Sequence, residues 1–127
     1  MSFADFLEYE LLDHLFDIGS YAAPTMYVGL STADPGDDAA GLAEPVGNGY
    51  ARVACAAWSR TGNEVDNDAA VTFPEATGDW GTITHAGLFD AATDGNLLLS
   101  FVLDTPREIT DGKTPRFSAG EFNVTLT

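Results

Sequence analysis

The segment Gly78–Leu98, GDWGTITHAGLFDAATDGNLL, constrains the fold more than any other part of this chain. Trp80, Thr82, Thr84, Ala86 and Leu88 alternate with Ile83, His85, Gly87 and Phe89. That period of two is the pattern of a pleated strand. Asp94-Gly95 follows and supplies a turn, because both residue types tolerate the positive φ of a tight reversal. Leu97–Leu103 then reads as the returning strand. An antiparallel hairpin of this size needs a covering layer, so the segment commits the chain to a packed β architecture.

The flanking sequence extends that reading. Thr25–Thr32 places Met26, Val28 and Leu30 on one strand face, and Tyr50–Trp58 forms a second strand of ambiguous polarity, since Ala51, Ala54, Ala56 and Ala57 are all small. Ala33–Asn48 is a loop rich in Asp, Gly and Pro. Gly62–Asp68 reads as a turn, and Ala69–Phe73 as a short strand that Pro74 ends. Pro106–Thr110 and Arg116–Ala119 flank an Asp111-Gly112 turn, and Glu121–Thr127 closes the chain by alternating Phe122, Val124 and Leu126 with polar residues. Seven or eight short strands separated by turn signals predict an antiparallel β-sandwich, jelly-roll-like in character. With no break in composition and no internal repeat, residues 1–127 form one predicted domain, the sandwich occupying 25–127.

Residues 1–19 carry the one helical pattern. Phe3, Leu7, Leu11, Leu15 and Ile18 make an apolar stripe over a helix Ser2–Ile18, which Phe6, Leu12 and Phe16 widen. Ser2 is placed to cap it, with Asp5 three residues on, and Gly19 suits its end. A stripe this wide must cover something. Phe3, Leu7, Leu11 and Leu15 are therefore the expected subunit-interface residues, with the alanine-rich Tyr50–Trp58 strand as a second contact.

Charge narrows the partners. Twenty acids against five bases give a net charge of −15. Such a surface repels nucleic acid and anionic membranes, and no apolar run approaches the roughly 20 residues of a membrane span. The acidic start, with Asp5, Glu8 and Glu10, argues against a secretory signal. Excess Asp with a single lysine, Lys113, is the composition expected of a protein working in concentrated salt, where counterions screen self-repulsion.

Reactive chemistry is sparse. His14 and His85 have no metal-ligand spacing, and no nucleophile elbow, zinc-protease helix or phosphate loop occurs. No catalytic residue and no cofactor are expected. Cys55, the single cysteine, reads as a small buried strand residue. Asp34, Asp37 and Asp38 share a loop and are the nearest approach to a Ca²⁺ site, although they do not match a calcium-binding loop. Tyr27, Tyr50, Trp58, Phe73, Trp80, Phe89 and Phe101 supply the usual filling of a β-core. Trp80, between Asp79 and Gly81, is the aromatic expected to be partly exposed and free for surface recognition, such as stacking on a host glycan.

Three blocks in order resemble a family of small structural proteins from tailed bacterial and archaeal viruses: MYVGLSTADPGDD (Met26–Asp38), EPVGNGYARV (Glu44–Val53) and GDWGTITHAGLFDA (Gly78–Ala91) followed by GNLLL. The terminal FSAGEFNVTLT, Phe117–Thr127, is similar to the closing strand of that family. The resemblance implies a non-enzymatic virion protein: a tail-fibre, minor tail or capsid-surface turret protein. Viral projections are built by symmetric repetition, so a homo-oligomer, trimer or pentamer, among other virion proteins is expected; the alternative reading is a module that binds a host glycan. The chain departs from the family in its alanine-rich second strand and its acid content, and the latter fits a virus of a halophilic host.

Overall fold

The computed structural model describes residues Met1–Thr127 and is mainly β, with antiparallel sheets and one N-terminal helix. In chain order the elements are β1 (Ser2–Phe3), α1 (Asp5–Leu15), β2 (Tyr27–Ser31), β3 (Val53–Ala54), β4 (Trp58–Thr61) and β5 (Glu64–Asn67). They continue as β6 (Val71–Thr72), β7 (Gly81–Phe89), β8 (Leu97–Ile109), β9 (Arg116–Phe117) and β10 (Asn123–Thr125). A five-stranded sheet runs β1-β8-β7-β2-β3, a three-stranded sheet β10-β5-β4, and β6 pairs with β9. No helix is long and apolar enough to cross a membrane.

The β7–β8 hairpin is the spine, as its alternation requires. Its strict period breaks at two bulges, between Ile83 and His85 and between Leu88 and Phe89. Ile83 and then Ala86 and Leu88 all reach the main core, although a strict period of two would put Ile83 on the opposite face. Opposite the first bulge, β8 advances from Val102 to Arg107 while β7 advances only from His85 to Ile83. The surplus holds Pro106, which tolerates a bulge because no ladder bond is asked of it. Pro106–Thr110 is thus the continuation of β8, not a separate strand. Asp94 and Gly95 take φ of 54° and 67°, inside a loop Asp90–Asn96 closed by the Asp90 side chain on the Asn96 backbone N–H at 2.6 Å.

Three other expectations change. Gly62–Asp68 contains the strand β5, whose Glu, Asp and Asn residues mask its state. It is fixed between two partners, with the Asn123 amide donating to Asp66 at 2.6 Å. The strand expected over Tyr50–Trp58 is broken: Val53–Ala54 form β3, and Trp58 begins β4. Arg116–Phe117 pairs with Val71–Thr72 instead of folding back across Asp111-Gly112.

The main core gathers residues of the five-stranded sheet and the β6–β9 pair, Val28, Leu30, Ile83 and Leu88 clustering with Phe73, Phe117 and Phe122, and Trp58 and Val124 of the three-stranded sheet pack against it. Phe117 and Phe122 lie 4.8 Å apart between ring centres, and Phe101 meets Phe122 at 5.2 Å, so aromatic contacts join the sheets. Cys55 is buried as expected, and that burial pushes its thiol pKa up. Asn67 is buried too; its side chain donates to Ala69 and Ser118 carbonyls and accepts from the Phe122 N–H, tying β5 to the last strand.

Candidate functional site: the helix face and its groove

The helix is shorter than its stripe. Ser2 and Phe3 pair with Ser100 and Leu99 of β8, which removes Ser2 from the capping position. Ala4 takes that position without a side-chain cap, and Ser2 instead donates its hydroxyl to Asp37. The far end closes at Asp17, with φ of 58°, and the Ile18 N–H donates to the Asp13 carbonyl at 2.9 Å. Asp17 rather than Gly19 thus supplies the left-handed residue of a Schellman-type stop.

Along the stripe, cover is lost step by step. Leu7 is 7 % exposed, Leu11 41 %, Leu15 73 % and Ile18 76 %. Leu12 and Phe16 are also open to solvent, and Phe16 and Tyr9 are the two exposed aromatics of the chain. The N-terminal half of α1 therefore belongs to the core, while its C-terminal half overhangs. Beneath it lies an apolar groove of about 500 Å³, walled by Phe3, Leu7 and Leu11 of the N-terminal segment and floored by Met26, Trp58 and Val124. The four expected interface residues thus divide: Phe3 and Leu7 help build the groove, Leu11 forms its lip and Leu15 stands clear. The sequence places Met26, Trp58 and Val124 on separate strands but does not bring them into one groove, because the start of β2 and strands β4 and β10 meet only in three dimensions.

Tyr21 also lines this groove, its ring edge-on to Phe6 at 6.3 Å. Its hydroxyl is buried without a hydrogen-bond partner, and its pKa is raised by burial and by the charges of Asp90 and Glu10. His14 lines the wall and accepts the Tyr21 N–H through Nδ1 at 3.3 Å.

Trp80 is not a recognition residue on the surface. It is 4 % exposed, its indole N–H donates to the Asn48 carbonyl at 2.8 Å, and its ring meets Tyr50 edge-on at 5.3 Å. Its polar sequence neighbours suggested exposure, but a carbonyl 32 residues away satisfies the indole and permits burial. None of the other six aromatics expected in the core is exposed.

Asp34, Asp37 and Asp38 do not converge on a cation cage. Asp34 accepts the Gly36 N–H, Asp38 accepts the Ala40 N–H and Asp37 accepts the Ser2 hydroxyl. No group of three or more His, Cys, Asp or Glu side chains is arranged to hold a metal ion. His85 contacts the Thr84 hydroxyl at 2.8 Å and lies 3.9 Å from Asp34. These are turn and strand contacts.

A second polar cluster was invisible in the sequence. Arg52 clasps Glu44 by two nitrogens while its Nη1 donates to the carbonyls of Ala91 and Asp94, at 2.9 and 2.8 Å. Its guanidinium stacks 3.6 Å above the Phe89 ring. Tyr50 donates to Glu44 at 2.6 Å and accepts the Leu30 N–H at 2.9 Å; burial first, and the Glu44 contact second, push its pKa well above the ordinary range. The only signal for this cluster was the scarcity of bases. It fixes loops; nothing in it is poised for chemistry.

The profile of the family described as Podophage GP4 fiber I protein gp80 matches residues 2–125. The comparison with curated proteins found no match. The chain belongs to that phage fibre family, which makes it a structural protein of the virion.

Proposed function

From that membership as premise, we propose that this protein is a non-enzymatic subunit of a homo-oligomeric tail-fibre assembly of a tailed virus whose host lives in concentrated salt. Residues 1–127 act as one β-sandwich unit, and the face of α1 carries the contact between subunits. A single observation supports this most strongly: the stripe Leu7, Leu11, Leu15 goes from 7 % to 73 % exposed along one helix. Contiguous exposed apolar surface at one end of a small soluble domain marks an interaction site. Viral projections repeat one chain about an axis, so a closed ring of three or five copies is the expected form. The net charge of −15 supports a saline setting, because counterions must screen copies that otherwise repel. No cofactor or metal enters this reading.

Light scattering in molar salt tests it. The wild-type chain elutes as a trimer or pentamer, and Leu15→Asp as a monomer with unchanged near-ultraviolet circular dichroism. Substitution is the better probe than deletion of the segment, because Ser2 and Phe3 are strand residues of the main sheet. A wild-type chain monomeric at every salt and protein concentration overturns the proposal.

A further inference from the structure

We propose that association of copies through α1 is gated by salt: Glu8 and Asp17, beside the apolar end of the helix, hold copies apart in dilute solution and let them associate in brine. This rests on the homo-oligomer reading above and states how that contact is regulated. Glu8 lies four residues before Leu12 and seven before Leu15, so it shares their helix face. Asp17 adjoins Phe16. Both acids are exposed, as are Leu12, Leu15 and Phe16. A contact that buries these three apolar side chains therefore draws the carboxylates of both copies into it.

No cation in the chain offsets these acids. Residues 1–51 contain no lysine or arginine, while Asp5, Glu10 and Asp13 add to the charge of the same segment. The arginine pairs, Arg52–Glu44 and Arg107–Glu121, lie elsewhere. Glu10 and Asp90 also act on Tyr21 beneath the helix, so the surroundings of α1 are negative on both sides. Distance then decides how salt acts. Packed helices stand about 8–10 Å apart, and the Debye length is about 8 Å at 0.15 M but about 3 Å at 1 M. Carboxylates facing across such a contact repel in dilute salt and hardly sense each other in concentrated salt. The apolar attraction of Leu12, Leu15 and Phe16 needs no counterion and persists at both. Dilution of the brine therefore dissociates the contact, and concentration restores it.

Light scattering of the full chain across a KCl series tests the gate. The wild-type dissociation constant should fall by about tenfold or more between 0.15 M and 2 M KCl. The double variant Glu8→Gln with Asp17→Asn keeps every apolar side chain and should associate at a clearly lower salt concentration. The comparison variant, Glu75→Gln with Asp104→Asn, removes two exposed acids outside α1 and its groove and should follow wild type. Both variants lose two charges, so only placement separates them. An equal shift in both overturns the gate in favour of repulsion by the whole surface. No shift in the Glu8 and Asp17 variant overturns it too, since salt then acts through the apolar contact. An oligomer indifferent to salt overturns the gate while leaving the homo-oligomer standing, and a monomer in all conditions removes both.

Discussion

Arg52 and Glu44 form a two-point ion pair, Nη2 to Oε1 at 2.5 Å and Nε to Oε2 at 3.0 Å, with side chains 7 % and 19 % exposed. Eight residues separate them, yet the same guanidinium also reaches Ala91 and Asp94 in the loop after β7. One cation out of five thus joins the Ala33–Asn48 loop region, β3 and the hairpin loop. Planar, five-donor geometry makes this feasible for arginine and not for lysine.

Arg52→Ala should therefore destabilise the fold by about 3 kcal/mol, because it strands a largely covered carboxylate and two loop carbonyls. Arg52→Lys keeps the charge but loses the fork, and about half of that loss is expected. Urea unfolding measures both. Amide exchange in residues 90–96 should quicken in both variants before global unfolding. If Lys is as stable as Arg, the cluster works through charge alone and the fork geometry is irrelevant.

Gly29 lies beneath this cluster on β2. A Cβ there would come within 2.8 Å of the Phe89 ring and 3.1 Å of both the Glu44 carboxylate and the Tyr50 hydroxyl. None of the three can give way without losing a contact described above. Gly29→Ala should cost about 1–3 kcal/mol through overpacking. Gly19→Ala, where the nearest atom is an ordinary 3.4 Å away, should fall within about 0.5 kcal/mol of wild type. Equal melting temperatures for the two variants would show that β2 and its cover shift freely.

Much of this was legible in the chain, and the failures share a cause. The β7–β8 hairpin was readable because alternation and Asp94-Gly95 are local signals. The extra residues of β8 opposite Thr84 were not, since a bulge leaves no mark in apolar spacing. β5 was missed because Glu64, Asp66 and Asn67 are poor strand formers held in place by Asn123 and by neighbouring strands. Trp80 was misplaced because the carbonyl that lets its indole be buried belongs to Asn48. The stripe of α1 was plain from its spacing. That cover stops near Leu11 depends on where β8 and β10 end in space, which no periodicity encodes. Long-range partners decided each of these.

Tyr50 gives a pH dependence with a definite sign. Its folded pKa is raised above the ordinary value of 10.0, chiefly by burial. The neutral phenol is thus the form the fold prefers. Its contribution is complete below about pH 10 and declines above it, as the unfolded chain releases a proton that the folded chain retains. The raised Tyr21 and Cys55 add to the same alkaline decline, the thiol from about pH 9. Chemical denaturation at pH 8, 9.5 and 11 should show stability falling over that range. Tyr50→Phe should be less stable at pH 8, having lost its bonds to Glu44 and Leu30, but with a shallower alkaline slope. An unchanged slope would assign the alkaline loss to other groups.

Salt should act in the opposite direction from its effect on a protein held by exposed ion pairs. Arginine pairs with an acid twice, in the well-covered Arg52–Glu44 pair and the half-exposed Arg107–Glu121 pair at 3.6 Å, against a net charge of −15. Screening removes far more repulsion than attraction, since exposed carboxylates outnumber their partners and the Debye length falls to about 3 Å at 1 M. The melting temperature should therefore rise by several degrees between 0.1 M and 2 M KCl, in Leu15→Asp as well as in wild type. That monomeric variant separates stabilisation of the fold from stabilisation of the oligomer. A salt effect confined to wild type would locate the benefit at the subunit contact, and a melting temperature that falls with salt would show that attraction between charges outweighs their repulsion.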